Sequence, residues 1–262
     1  MVESVTETQA VAPAVFGQAF FAGTRESAAA LVCDRARSGA GGYACLCNVH
    51  VLMEAKGNET LGEVLAGAWR VFPDGAPIAW LQRRSGLRAD RIAGPDLFVS
   101  VMDAGRAYGL RHYLFGGSES VLSSLESEIV RRFPGVVIAG KVAPPRADVV
   151  ALGGSWIDLI RSADADIVWC GLGAPKQELW MREHAPALQP ALVLGVGAAF
   201  DFVSGTKARA PQWMQAAGLE WVHRVAREPR RLFWRYATTN ARFVRALPGA
   251  LRSTSGSGRP VA

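Results

Sequence analysis

The sequence predicts an α/β protein: a parallel sheet with helices on its faces, followed by a basic helical appendage at the C-terminus. Two observations predict the sheet. From Arg111 onward a unit of apolar strand, glycine turn and helix or loop recurs three times, in HYLFGGSESVLSSLESEIVRRF, DIVWCGLGAPKQELWMREH and ALVLGVGAAFDFVSG. Strands that alternate with helices favour a parallel sheet covered on both faces, and such sheets bind ligands at the carboxyl ends of their strands, where these glycine turns fall. A third observation predicts the appendage. From Lys207 to the end there are eleven Lys/Arg against two acids, Glu220 and Glu228, whereas the first 206 residues carry a net charge of −3. A basic tail on a mildly acidic body suits a polyanionic partner such as a membrane, nucleic acid or phosphate groups.

The elements follow in order. The first twenty-odd residues read as a lead-in. RESAAALVCDRARSG has helical spacing through Ala28, Leu31, Val32 and Ala36, and the glycines between 39 and 42 end it. Tyr43 to Val49 reads as a buried strand closing on Asn48. Ser118 is a candidate N-cap after Gly116 and Gly117, and Val121, Leu122, Leu125, Ile129 and Phe133 form one stripe. Ile167 to Cys170 is the strand of the second unit. Pro211 to about Pro248 is helical, basic and aromatic, and SGSGRPVA reads as disordered. The expected division is a core over 1–206, an appendage over 207–250 and a tail over 251–262.

The composition, half hydrophobic and one fifth charged, is that of a globular chain. Cys33, Cys45, Cys47 and Cys170 lie in apolar stretches and read as reduced, buried thiols. Cys45 and Cys47 lack the CxxC spacing of a zinc pair, and there is no second pair. The acidic start, MVESVTETQAVAP, lacks the basic region of a secretory signal. The longest apolar run, Ala191 to Phe200, is about half of a membrane span. A cytoplasmic chain is expected, lying on a membrane surface if it meets one.

Several motifs could carry chemistry. Gly171-Leu172-Gly173 follows a strand as a dinucleotide fingerprint does, but Lys176 stands where the third glycine belongs; after Gly195-Val196-Gly197, Phe200 does. These turns could bring backbone N–H groups to a phosphate or sugar, or could simply turn tightly. Asp164-Ala165-Asp166 is a DxD pattern, yet it precedes its strand and so reads as a helix-to-strand connection at the opposite sheet edge. Asp74, in PDGAP, reads locally as a turn residue. His50, His112, His184 and His223 show no ligand spacing. In EWVHRVAREPRRLFWRY, Arg224, Arg227 and Arg231 recur at helical spacing among Trp221, Phe233, Trp234 and Tyr236. Arginine suits phosphate and the aromatics suit a membrane interface.

Taken together, the segments NVHVL, PDGAPIAW, RIAGPDLF, LFGG, GLGAPKQE, GVGAAFDFVSGTKARAP and GLEWVHRVAREPRRL, from Asn48 to Tyr236, resemble the WecG/TagA/CpsF family, glycosyltransferase family 26. The resemblance implies a Rossmann-like domain with a membrane-facing appendage. It also implies inverting, metal-independent transfer from a UDP-sugar to an undecaprenyl-diphosphate-linked sugar in exopolysaccharide or cell-envelope glycan synthesis. The implied partners are that donor, that acceptor and the inner face of the cytoplasmic membrane, with no nucleic acid, no metal and no cofactor. By position, Asp74 matches a proposed general base, Arg91 an active-site arginine, Gln177 a nucleotide-sugar residue, and Arg224 and Arg231 arginines for the lipid diphosphate. The matching motifs add Asn48, Gly116, Gly117, Gly171, Gly173, Pro175, Lys176, Glu178, Gly197, Asp201 and Arg209 as expected substrate-binding positions. Two positions depart from the pattern: Leu46 where members often have Thr, and Trp234 where many have Arg, with Arg235 adjacent. The rival readings are a dinucleotide-binding oxidoreductase and a non-catalytic protein that binds membrane or nucleic acid.

Overall fold

The computed structural model describes residues 14–145, 147–148 and 150–255, with backbone alone at 150, 231 and 252–255. In chain order the first half contains α1 (Arg25–Arg37), β1 (Gly42–Cys47), α2 (Val49–Ala55), α3 (Glu59–Gly67), β2 (Arg70–Pro73), α4 (Ala76–Arg84) and α5 (Gly94–Gly105). Then come β3 (Arg111–Gly116), α6 (Glu119–Arg132), β4 (Val137–Val142), α7 (Ser155–Ser162), β5 (Ile167–Gly171), α8 (Lys176–His184), β6 (Leu192–Gly195) and α9 (Ala199–Val203). The C-terminal segment forms α10 (Gln212–Ala216), α11 (Glu220–Arg227) and α12 (Pro229–Ser255).

All six strands are parallel, in the order β2-β1-β6-β5-β3-β4. Side chains along a strand alternate between faces, so each strand feeds two cores. Tyr113 and Phe115 of β3 join Cys45, Cys47 and Trp180 on one face. Leu114 joins Trp169, Phe98 and Leu125 on the other. This is the covered parallel sheet that the repeated units predict.

The connections place the site. β3 leads into α6 on one face, and its neighbour β5 leads into α8 on the opposite face. The adjacent pair β1 and β6 diverges in the same way, into α2 and α9. Where neighbouring strands send their helices to opposite faces, a crevice opens at their carboxyl ends. Gly116 lets β3 and β5 close below that crevice: its φ is +119°, and a Cβ there would lie 2.7 Å from the Gly171 carbonyl carbon. Ser118 does cap α6, its hydroxyl accepting from the Val121 N–H at 3.3 Å. Asp164 and Asp166 lie at the amino edge of the sheet, where Asp166 Oδ2 accepts the Arg111 N–H at 2.7 Å.

The C-terminal helices pack closely on the α/β body. Pro229 opens α12 rather than breaking a helix, and α12 continues through Pro248 to Ser255, five residues into the segment expected to be a disordered tail. Residues 256–262 lie outside the described part. Phe243 of α12 is buried in the same core cluster as the sheet, with its ring 5.4 Å from that of Phe16. Arg242 Nη2 donates to the Met53 carbonyl at the end of α2, at 2.7 Å. Residue 206 is therefore not a boundary in packing. Removing a buried phenyl ring costs about 3–5 kcal/mol. Phe243→Ala should accordingly lower the unfolding free energy by about 3 kcal/mol in urea titrations, and an unchanged midpoint would show that α12 adds nothing to core stability.

Candidate active site

Asp74 follows β2, at the carboxyl edge, and its N–H donates to the Cys47 carbonyl at 3.0 Å. That bond sets the end of β2 against the end of β1, so Asp74 stands beside Asn48. Asn48 caps α2: Oδ1 accepts from the N–H groups of His50 (3.0 Å) and Val51 (3.2 Å). Two cavities meet at this point. The larger, about 890 Å³, is lined by the glycine turns after β3, β5 and β6, by Lys176 and Asp201, and by Arg224, Arg227 and Arg235. The smaller, about 370 Å³, lies between the sheet edge and the C-terminal helices, lined by Pro77, Arg91, Pro95, Trp221, Tyr236, Phe243 and Val244 among others. Asn48, Asp74, Val196, Ala198, Phe202 and Arg224 line both.

Burial pushes the Asp74 carboxyl up to about 6. Arg91 is the strongest counterweight, Glu220 adds to the rise, and Arg224 and the Asn48 amide favour the ionised form. Arg91 does not pair with this carboxylate. Its Nη2 donates to Glu220 Oε2 of α11 at 2.5 Å, and its Nε to the Asp74 backbone carbonyl at 3.3 Å. Arg209 occupies a parallel position. Its guanidinium is bidentate to Asp96 (2.6 and 2.9 Å) and reaches Glu220 Oε1 at 3.4 Å. Arg209, expected at a substrate-binding position, has its donors taken up by two carboxylates and lines neither cavity.

The PKQE segment divides between the larger cavity and the interior. Lys176 lines the larger cavity and donates to the Ala147 carbonyl. Gln177 reaches the cavity, but its Oε1 accepts from the Gly173 N–H (3.2 Å) and the Gly197 N–H (2.9 Å), joining the turns after β5 and β6. Glu178 faces inward. It is fully buried, takes the Gln177 amide on Oε1 at 2.9 Å, leaves Oε2 without a partner, and lines neither cavity. Gly117, Gly171, Gly173 and Gly197 line the larger cavity; Gly116 and Pro175 sit one residue behind it. Asp201 lines it while paired with Lys207 at 3.1 Å. Arg91 belongs to the smaller cavity, and Arg224 to both. Arg231 lies on α12, and its side chain is outside the described part.

Sequence reasoning missed several contributors. His50 lines the smaller cavity and is kept neutral, lowered to about 4 by burial and by Arg235 and Arg242. His223 lines the larger one, beside Arg227 of the arginine repeat already noted in the sequence. Arg235 does too, whereas Trp234 is 71% exposed, so the neighbour supplies the cation that the motif displaces by one position. Leu46 lines the larger cavity where a hydroxyl would otherwise stand. His112 is a core residue that accepts from Trp169 Nε1 at 3.1 Å. The position of the missing third glycine is also explained. The Phe200 ring lies over Gly171, where a Cβ would meet it at 2.6 Å, and fills the space that a glycine would have left open.

The chain also resembles known proteins along most of its length. The model of the glycosyl transferase WecG/TagA/CpsF family matches residues 13–256. The chain belongs to that family. It is a glycosyltransferase. A family relative from Bacillus spizizenii, named N-acetylglucosaminyldiphosphoundecaprenol N-acetyl-beta-D-mannosaminyltransferase, is 29% identical over 208 residues, covering 79% of each chain. A relative of the same name from Bacillus subtilis is 30% identical over 175 residues, covering 66% of this chain and 65% of its own.

The buried carboxyl of this family member gives a stability test. Burial holds Glu178 up at about 7 against an ordinary 4.5, so between these values the folded chain keeps a proton that the unfolded chain releases. Stability from this group is fully present below 4.5 and is lost as pH rises through 7. Glu178→Gln is uncharged at every pH. It should match the parent near pH 4, where each presents a polar hydrogen without a partner, and exceed it by roughly 3 kcal/mol near pH 8. Urea midpoints at the two pH values make the comparison; equal midpoints at pH 8 would place a solvated, ionised carboxylate here.

Proposed function

We propose that this chain transfers a sugar, with inversion, from a UDP-sugar to a sugar carried on undecaprenyl diphosphate, at the inner face of the cytoplasmic membrane. The observation that carries this reading is the position of Asp74 at the junction of two cavities of different character. The larger has turns of backbone N–H groups and a cationic wall of Lys176, Arg224, Arg227 and Arg235, which suits a nucleotide diphosphate. The smaller is mainly apolar, opens beside the aromatic C-terminal helices and suits a lipid-linked sugar. The names of the two Bacillus relatives supply the lipid-linked acceptor class.

In this mechanism the acceptor hydroxyl lies between Asp74 and the anomeric carbon. Asp74 takes its proton as the oxygen bonds to that carbon, and the bond to the diphosphate breaks with its electron pair leaving on UDP. The arginines and N–H groups of the larger cavity hold the developing charge, which a metal ion would hold in other transferases. A carboxyl held near 6 is ionised at neutral pH yet is a better base than an ordinary Asp. Membrane attachment is supported by the exposed aromatics of the C-terminal helices, Trp213 at 66%, Phe233 at 52% and Trp234 at 71%, among Arg227 and Arg230. Among the described residues no helix is long and apolar enough to cross a membrane.

The test is incubation with a panel of UDP-sugars and synthetic lipid-diphosphate sugars, identifying products by mass and anomeric configuration by NMR. Transfer should persist in excess chelator, and a product of retained configuration would sink the single-base mechanism. The rate should fall below about pH 6 as Asp74 takes up a proton, and be level above it. Asp74→Asn should cost about 10²- to 10⁴-fold in single-turnover rate while UDP binding by calorimetry stays near that of the parent. A mutant that keeps most of its activity would return Asp74 to the role of a turn residue.

A further inference from the structure

Among the described residues the Asp74 carboxylate makes no ion pair within 4 Å, although Arg91 is close enough to bond its backbone carbonyl. The reason is Glu220. It is nearly buried, is the first residue of α11, and lies 129 positions along the chain from Arg91, whose Nη2 it takes at 2.5 Å. Arg209 holds the other Glu220 oxygen and is itself anchored on Asp96 by two bonds. Glu220 is thus fixed from one side and draws Arg91 from the other.

We infer that Glu220 is a positioning residue that keeps Arg91 off the Asp74 carboxylate, so that the base stays free for the acceptor hydroxyl only while the C-terminal helices are docked. The inference rests on the role given to Asp74 above and adds a carboxylate that none of the motif correspondences assigns. With Glu220 neutral, the cation nearest Asp74 loses its competing anion. An arginine that pairs with a carboxylate favours the ionised form, which both occupies the base and makes it weaker. The groups that face Asp74 are few: Arg91 before α5, Glu220 and Arg224 on α11, Asn48 at the cap of α2, and the Cys47 thiol of β1. Of these, only Glu220 and the thiol oppose ionisation of Asp74, and burial holds the thiol protonated.

The experiment is a pH titration of the full chain labelled with 13C at aspartate carboxyls, the Asp74 signal being assigned by its absence in Asp74→Asn. Asp74 should titrate near 6 in the parent. In Glu220→Gln its proton affinity should fall by about tenfold or more. In an Arg91→Met background the same substitution should move it much less, since its main route of action is gone. Should Glu220→Gln fail to fold, Glu220→Asp, which keeps the charge but withdraws it by one methylene, should give a smaller shift of the same sign. An Asp74 titration unmoved in the folded variant would overturn the proposal and leave Glu220 as a structural tie. This measurement needs no donor, acceptor or membrane, so it can fail while the transferase reading stands, and can hold if that reading fails. With substrates, the acid limb of the kcat profile should move to lower pH with a reduced plateau; loss confined to KM would also overturn it.

Discussion

Glu220 accepts from two arginines that come from separate parts of the chain, and much of the catalytic edge is arranged around this contact. Through Arg91 it ties the first turn of α11 to the sheet edge beside Asp74, and it lines the smaller cavity. Taking three charged side chains out of bulk water is costly unless each is paired and bonded. Here Arg91 has Glu220 and a backbone carbonyl, Arg209 has two carboxylates, and Glu220 has both guanidinium groups. The arrangement closes on itself and leaves Asp74 as the group with unmet capacity, which is the condition that a base needs.

A second set of bonds organises the opposite wall. Gln177 receives one N–H from the turn after β5 and one from the turn after β6, and its amide donates to Glu178 beneath it. The two glycine turns are held at a fixed separation by a side chain that lies behind them. Glu178 stands near the buried thiols of Cys45, Cys47 and Cys170, all of which burial keeps protonated. The acid supports the turns from behind and lines neither cavity.

Much of this was legible in the sequence, for physical reasons. The strands are read easily because they are buried on both faces, and Ser118 is read as a cap because its hydroxyl has one nearby donor to satisfy. β2 and β4 were not read, since Arg70–Pro73 is only four residues long and Val137–Val142 is incompletely buried and interrupted by Gly140 and Lys141. Position in a motif pointed to Asp74, Asn48, Lys176 and Arg224, and these residues line the cavities. It pointed equally to Glu178 and Arg209, which line neither cavity, because a motif records that a residue type is needed without recording which way the side chain turns. His50 and Arg235 were passed over because the surfaces that bring them to the cavities come together only in three dimensions.

The cap of α2 shows how chemistry narrows the choice of residue. Asn, Asp and Ser close the first turn of a helix about equally well. Position 48 also turns toward the Asp74 carboxylate, and its amide favours the ionised form. An aspartate there would satisfy the helix but set a second negative charge beside the base, and a serine would have a single short oxygen for both tasks. The amide alone accepts with one atom and donates with another. At this position helix propensity permits several residues, whereas the adjoining carboxylate favours one, so the tolerance of α2 to substitution is governed by the charge on Asp74 as well as by the cap.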